Sequence, residues 1–184
     1  ESEIQANTDR IALLEYAAAK DLSYVNAETG LALDSRSTAN AYIVRKAGAY
    51  RIPLVYGNSI KSGNTNSAAY TRQGSDYTAD FVNHLGNAIT SPWIERNEGC
   101  AIASVGLLWQ SAVGMITDTQ IYDGQDGKYL AFSVVNVPTT NGLATLYVKD
   151  DNGDIMWSWT IWVTSDAFVS ATITNHTSVE YDMM

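Results

Sequence analysis

The stretch from Ile155 to Thr164 reads Ile-Met-Trp-Ser-Trp-Thr-Ile-Trp-Val-Thr and contains three of the five tryptophans of the chain. A β-strand directs successive side chains to opposite faces, so one face of this stretch is wholly apolar. Its members are Ile155, Trp157, Trp159, Ile161 and Val163. Burying each of them stabilises a fold by roughly 1.5–3 kcal/mol. The alternation therefore predicts a strand with this face in the core, while hydroxyl groups around Trp162 cover the other face.

Further alternating segments predict more strands on the N-terminal side of that stretch. They cover residues 40–45, 49–56, 101–110, 114–122, 128–137 and 143–149. The turn before Ile155 contains Asn152-Gly153, a pair that tolerates the positive φ angles of a tight hairpin. Pro53 cannot donate to a ladder, which predicts a sheet edge or a bulge. Seven strands spaced by turns are typical of an immunoglobulin-like β-sandwich, and we expect Trp109 to lie against its core.

A short helix is predicted before the strands, over residues 7–22. Asn7 or Thr8 can cap its first N–H groups, and apolar residues recur at helical spacing. The expected organisation has an N-terminal helical segment and linker at 1–36, a sandwich at 37–165 and an extended tail at 166–184. We expect the tail to lead into a further domain.

Residues 57–100 interrupt the strand pattern with Gly, Asn and Ser between aromatic residues. A connection of this length is usually functional or disordered, and its aromatic residues favour a packed insertion. Its composition is typical of ligand-binding loops, in which aromatic residues supply rigid contact area. The candidate ligand-binding residues are Tyr70, Tyr77 and Trp93. The alternative is that these side chains fasten the insertion to the sandwich.

The composition limits the partners that the chain can have. Its 184 residues, 46% hydrophobic and 17% charged, suffice for one domain with a core. A formal net charge of −9 repels a phosphate backbone, so nucleic acid is not an expected partner. No run of about 18 apolar residues is present to form a transmembrane segment. Cys100 is the single cysteine, which excludes an internal disulfide and favours a buried thiol.

No recognisable constellation for catalysis or metal binding is present in the sequence. His84 and His176 lie far apart, and no Gly-x-Ser-x-Gly nucleophile motif occurs. The acidic turn at 150–155 departs from the pattern of a calcium-binding EF-hand loop, which favours a solvated turn. Glu95 and Glu98 are neighbours, but a glycosidase needs two carboxylates across a cleft. We therefore expect a protein that is not an enzyme, with no catalytic residue, no metal and no cofactor.

Four motifs stand out by their order and spacing. They are Thr38-Ala-Asn-Ala-Tyr-Ile-Val44, Ala47-Gly-Ala-Tyr-Arg-Ile-Pro-Leu-Val-Tyr-Gly-Asn58, Leu108-Trp-Gln110 and the stretch from Ile155 to Thr164. Over about residues 35–184 the chain resembles a repeated β-domain of large surface and secreted proteins of gut Bacteroidota, often labelled fimbrillin-like. That family has a cysteine in place of Ala41 and a histidine in place of Thr160. The resemblance implies an extracytoplasmic, adhesin-like or scaffold role without catalytic residues.

Three functional interpretations follow, in order of preference. The first is a non-catalytic, adhesin-like or structural module of a cell-surface or secreted protein, which spaces domains and joins protein contacts. The second is a carbohydrate-binding module that uses the aromatic residues of the insertion. The third is a pilus-type subunit, whose tail from Phe168 to Met184 completes the sheet of a neighbouring subunit. The expected partners are neighbouring domains of a larger polypeptide, other surface proteins and, for the second interpretation, glycans.

Overall fold

The computed structural model describes residues 16–27, 29–71, 81–138, 141–165, 171–178 and 180–183. Eight of its strands form two four-stranded sheets that pack against each other. These are β1 (Lys20–Asp21), β2 (Ala41–Val44), β3 (Gly48–Pro53), β6 (Ser104–Gln110), β7 (Ile116–Asp123), β8 (Lys128–Val134), β9 (Gly142–Lys149) and β10 (Ile155–Val163). The remaining strands are β4 (Ile60–Lys61), β5 (Asn64–Thr65), β11 (Ala171–Thr174) and β12 (Glu180–Met183). Short 3-10 turns span Leu22–Tyr24, Ser67–Ala69 and Ile94–Arg96.

Both large sheets are mixed. One has the order β1-β3-β8-β7 and the other β2-β10-β9-β6. In each sheet the first pair, β1 with β3 and β2 with β10, is parallel, and the other pairs are antiparallel. Strand β10 is therefore central, with Ile161 opposite Tyr42 on one side and Ala144 on the other. The predicted mostly-β, sandwich-like architecture is confirmed.

The core lies between the sheets and follows the predicted alternation over most strands. Its buried residues include Trp159, Ile161 and Val163 of β10, Leu130, Phe132 and Val134 of β8, and Ala144, Leu146 and Val148 of β9. At the start of β10 a bulge between Ile155 and Trp157 shifts the register. A bulge places two residues opposite one and so changes which side chain faces inward. Met156 is consequently buried and Ile155 exposed, so the predicted burial of Ile155 is wrong. Trp157 shares the inward face with Trp159 and packs against the core as predicted, but it is only half-buried.

A second bulge, in β6, gives the Trp109 side chain an orientation different from the predicted one. The register shifts between Leu107, which pairs with Leu146, and Trp109, which pairs with Thr145. The extra residue turns the Trp109 side chain to the outer face of the sheet. Trp109 is 55% exposed, so its predicted position against the core is wrong.

The N-terminal helix is only partly covered by the described residues, because 7–15 lie outside them. Tyr16 and Ala17 are helical, but Lys20 and Asp21 form β1 and pair with Tyr50 and Arg51. The Asp21 carboxylate then accepts a hydrogen bond of 3.0 Å from the Ser23 N–H and caps a 3-10 turn. The predicted helix is therefore wrong over residues 18–22, because pairing with β3 overrides local helix propensity.

The insertion packs onto the sandwich in its described parts, 57–71 and 81–100. Val55 forms an antiparallel bridge with Trp93, and the Ile94 N–H donates to the Leu54 carbonyl at 3.0 Å. Ile89 and Ile94 are buried members of the main core. The prediction of a packed insertion is confirmed for these parts.

The described parts of the tail form a small hairpin. Strands β11 and β12 pair antiparallel in a two-stranded sheet, separate from both four-stranded sheets. Residues 166–170, which connect β10 to this hairpin, lie outside the described residues. These strands are extended, and the predicted tail at 166–184 that leads into a further domain stays a prediction.

Candidate functional site

A cleft of about 490 Å³ lies where the insertion meets the beginning of β10. We call it the aromatic cleft. Its aromatic residues are Tyr56, Tyr70, Phe81 and Trp157, and its amide residues are Asn40 and Asn58. Gly57, Ala69, Val82 and Ile89 complete the lining, so none of the ten described residues is charged. The volume lies in the range of roughly 300–1,000 Å³ typical of small-molecule sites, which are mostly apolar with few polar groups.

Parallel pairing of β2 with β10 brings Asn40 to Trp157. Asn40 immediately precedes β2, and its carbonyl accepts a hydrogen bond of 2.8 Å from the Thr160 N–H of β10. This backbone bond anchors the Asn40 side chain at the mouth of the cleft, 117 residues away from Trp157 in sequence. The described parts of the insertion supply Tyr70 and Phe81.

The Trp157 ring is held by two contacts. Its Nε1–H donates to Asn40 Oδ1 at 2.9 Å. The Tyr56 ring packs against it edge to face, with 5.2 Å between centroids and an angle of 86°. Edge-to-face pairs of this kind are favourable beyond the area that they bury. These two contacts within the protein therefore fix the orientation of the indole.

The Asn40 amide is equally fixed. An indole N–H can only donate, so the atom of Asn40 that faces it must be the oxygen, and Nδ2 keeps its two N–H donors. Neither donor is bonded to a residue in the described part of the chain. Gly57 packs against the amide with a φ of +42°, and a Cβ at that position would lie 3.1 Å from both Oδ1 and Nδ2. The arrangement presents an oriented amide donor beside an aromatic ring.

The structure separates the three residues that the sequence predicts for ligand binding. Tyr70 lines the aromatic cleft but is only 4% exposed, so it belongs to the floor of the cleft. Trp93 is 5% exposed and packs with Val55 and Tyr129 in a separate cluster. Tyr77 lies outside the described residues. Tyr70 and Trp93 therefore form no common exposed platform, and a role of these residues in binding stays a prediction.

Sequence reasoning misses three residues of the cleft. It assigns Trp157 and Tyr56 to apolar strand faces and does not single out Asn40. Tyr56 is indeed buried, and burial, with Cys100 nearby, raises the pKa of its phenol above the ordinary value. No local signal reveals the cleft, because it is assembled from segments that are distant in sequence and that meet where β2 pairs with β10.

A second cluster joins Cys100, His84 and Asp150. His84 Nε2 lies 3.2 Å from Asp150 Oδ2, and His84 Nδ1 lies 4.0 Å from Cys100 Sγ. The order thiol, imidazole, carboxylate is that of some nucleophilic enzymes. Cys100, however, is 1% exposed, as predicted for a buried thiol, so a substrate cannot reach its sulfur. The cluster instead ties the insertion to the turn after β9.

Asp150 is the acidic end of that cluster. Burial alone raises the pKa of its carboxyl group, but hydrogen bonds from the Asp154 N–H, His84 and Asn152 outweigh burial. The pKa of Asp150 therefore lies below its usual value. The carboxylate stays charged and holds the turn that leads into β10.

A third cluster surrounds Arg36. Its guanidinium donates to Asp126 and to the Tyr129 hydroxyl, and it lies 3.6 Å from Asp21 Oδ2. Arg51 lies over the Tyr129 ring, 5.3 Å from its centroid. Burial raises the pKa of Asp126, but the bonds from Arg36 and Tyr129 outweigh it and lower the pKa. The positive charges of the two arginines thus balance the negative charges of Asp21 and Asp126. The cluster fastens the N-terminal segment to the turn between β7 and β8.

Two further carboxylates, those of Glu95 and Asp123, have local partners. Glu95 Oε1 accepts a 3.1 Å hydrogen bond from the Lys128 N–H, and Asp123 Oδ1 accepts one of 2.5 Å from Lys128 Nζ. Within the described ranges, no three His, Cys, Asp or Glu side chains are grouped to hold a metal ion. No helix among these residues has the length and apolar character needed to cross a membrane. In comparisons with known proteins, no family model, no curated protein and no solved structure matches this chain.

Proposed function

We propose that this chain is a non-catalytic module of a bacterial cell-surface or secreted protein, adhesin-like or structural, that works by binding and by spacing its neighbours. The observation that carries the proposal is the aromatic cleft. Catalysis needs an acid, a base or a nucleophile beside the ligand. The ionisable residues among the ten that line the cleft are Tyr56 and Tyr70, and burial raises the pKa of both phenols. As far as the described residues form it, the cleft therefore offers a surface for recognition rather than a reacting group.

The proposal includes an immunoglobulin-like topology. The orders β3-β8-β7 and β10-β9-β6 correspond to the B-E-D and G-F-C orders of that fold. The pairs β1–β3 and β2–β10 are parallel, which departs from its antiparallel sheets. The strand order supports the same assignment as the resemblance to surface modules of gut Bacteroidota, for which an extracytoplasmic location is expected.

Protein contacts have a candidate surface on the outer face of the second sheet. Trp109 and Leu143 are exposed there, and they are accompanied by exposed Leu108 and Val113 near the end of β6. Exposed apolar residues that are grouped together favour an interaction site over a bare surface. This grouping supports the adhesin-like or structural role.

Carbohydrate binding is the second candidate, and the aromatic, uncharged lining of the cleft favours it. Strand exchange between subunits has less support, because β11 and β12 pair with each other. The proposal therefore includes a glycan as an alternative partner and leaves strand exchange aside.

A turnover assay tests the non-catalytic character. The chain is incubated with polysaccharides and with peptide substrates, and product release is followed by chromatography. We expect no product above that of a heat-denatured sample. Turnover that disappears on His84→Gln or on Glu95→Gln would show an enzyme and overturn the proposal.

A further inference from the structure

We infer that the aromatic cleft binds an uncharged pyranose unit of a glycan, with one face of the sugar ring on Trp157 and a sugar oxygen bonded to the Asn40 amide. The inference rests on the proposed non-catalytic binding function. It narrows the glycan, which the proposal includes as an alternative partner, to a neutral pyranose and names the two residues that select it.

Trp157 supplies the stacking surface. Its indole is half-buried, and the bond to Asn40 together with the Tyr56 ring fixes its orientation. One face of a pyranose ring carries C–H groups that pack well on the negative face of an aromatic ring. A ring that is already ordered loses little side-chain entropy on binding. Exposed Phe81 adds aromatic area at the rim of the same cleft.

Asn40 supplies the polar contact. Its oxygen is occupied by Trp157, so the Nδ2 group presents donors that suit a hydroxyl or ring oxygen. A purely apolar ligand, such as an alkyl chain, would cover these donors without pairing them, which costs free energy. A sugar combines an apolar face with oxygen acceptors at its edge. This combination matches the pairing of Trp157 with Asn40.

The charges of the protein select a neutral sugar. None of the ten described residues that line the cleft is charged, and the chain as a whole carries a formal charge of −9. A uronic or sialic acid would bring a carboxylate into a recess with no cationic partner among these residues. The field of the whole protein would also repel it. Acidic glycans should therefore bind more weakly than neutral glycans of the same length.

Isothermal titration calorimetry tests the inference. The chain is titrated with neutral gluco-, galacto-, manno- and xylo-oligosaccharides, and with oligogalacturonate and sialyllactose as acidic probes. We expect at least one neutral series to bind, and the acidic probes to bind at least about tenfold more weakly. Trp157→Ala should lower the affinity about 100-fold, as the loss of an aromatic anchor does. Asn40→Asp keeps an oxygen that accepts from Trp157 but removes the Nδ2 donor. This variant should lower the affinity for the neutral glycan about tenfold.

Two variants serve as matched controls. Trp109→Ala removes an exposed tryptophan outside the cleft, and Asn136→Asp makes the same charge change at an exposed amide outside it. Both should bind as the unaltered chain does. Near-ultraviolet circular dichroism checks that each variant is folded, and Asn40→Asp alone decides the outcome if Trp157→Ala does not fold.

The outcomes separate this inference from the function on which it rests. Neutral-glycan binding that survives both cleft variants, or acidic probes that bind equally well, overturns the inference and leaves the binding module in place. Binding of a protein or peptide without binding of any glycan also overturns the inference and leaves the binding module in place. Folded protein that binds none of the glycans overturns the inference as well. Turnover of a bound glycan overturns the proposed function itself.

Discussion

Trp159 and Trp157 are two residues apart on β10, yet they lie in regions of opposite character. Trp159 is fully buried between the sheets, and its Nε1 has no hydrogen-bond partner among the described residues. Trp157 is half-buried beside the cleft, and its Nε1 is bonded to Asn40. Leaving a buried N–H unpaired costs about 1–3 kcal/mol, which the burial of a large ring offsets. In the core, the tryptophan contributes only the buried surface of its ring. In the cleft, the tryptophan contributes buried surface and a directed hydrogen bond.

The two regions also differ in which segments of the chain surround the tryptophan. Regular strands of both sheets surround Trp159, and their alternation is visible in the sequence. The cleft around Trp157 is built by Asn40 before β2, Tyr56 after β3, and Tyr70 and Phe81 of the insertion. Surfaces assembled from irregular segments on a rigid scaffold are where binding residues concentrate. The sheets therefore supply the packed core, and the proposed binding site lies at their margin.

The largest expected effect is the loss of the buried tryptophan. Trp159→Ala should lower the free energy of unfolding by about 3–5 kcal/mol, because it removes a large ring and leaves a cavity. Trp157→Ala should lower it by only about 1 kcal/mol, because that ring is half-buried. Urea unfolding measures both values. Equal losses in the two variants would contradict the assignment of one ring to the core and the other to the cleft.

A smaller loss is expected at the polar cluster that fastens the N-terminal segment. Arg36→Met keeps an unbranched side chain of similar length but removes the guanidinium that donates to Asp126 and to the Tyr129 hydroxyl. The free energy of unfolding should fall by about 2 kcal/mol, as for hydrogen bonds to charged groups. Lys128→Met is the control, since its exposed pair with Asp123 should contribute under about 1 kcal/mol. If urea unfolding finds the two variants alike, Arg36 does not fasten the segment.

The link from the insertion to β10 should depend on pH. The pKa of Asp150 is lowered in the folded chain, so its stabilisation is present above the unfolded pKa and is lost as pH falls through the folded pKa. Asp150→Asn should lower Tm at neutral pH, and the difference from the unaltered chain should shrink below about pH 4. Differential scanning calorimetry from neutral pH to below about pH 4 measures this difference in Tm. A constant difference at all pH values, or the same behaviour in the exposed-site control Asp151→Asn, would refute the role of the Asp150 charge.

The smallest effect is expected at Trp109. Because its side chain lies on the outer face of β6, Trp109→Ser should change the free energy of unfolding by no more than about 0.5 kcal/mol. Urea unfolding again supplies the value. A loss of more than about 2 kcal/mol would return Trp109 to the core and contradict the bulge in β6.

Sequence reasoning captures most of the sandwich but little of the site. Leu130 and Leu146 are buried as their alternation predicts, because a regular strand has a period of two. It fails for Ile155 and Trp109 at the two bulges, since an extra residue in a ladder leaves no mark in composition. Of the predicted ligand-binding residues, Tyr70 lies in the cleft and Trp93 does not. The cleft depends on contacts between distant segments, which periodicity does not encode.

The sequence by itself determined the features that depend on neighbouring residues. Alternating polarity specified the strands, and Asn152-Gly153 specified the hairpin, in which Gly153 has a φ of +86°. The excess of acidic over basic residues specified the formal net charge of −9, from which a surface that repels a phosphate backbone is predicted. Only the tertiary structure decided which tryptophan lies in the core and which meets Asn40. The reason is that register and parallel pairing arise from packing between segments more than a hundred residues apart, where local periodicity carries no information.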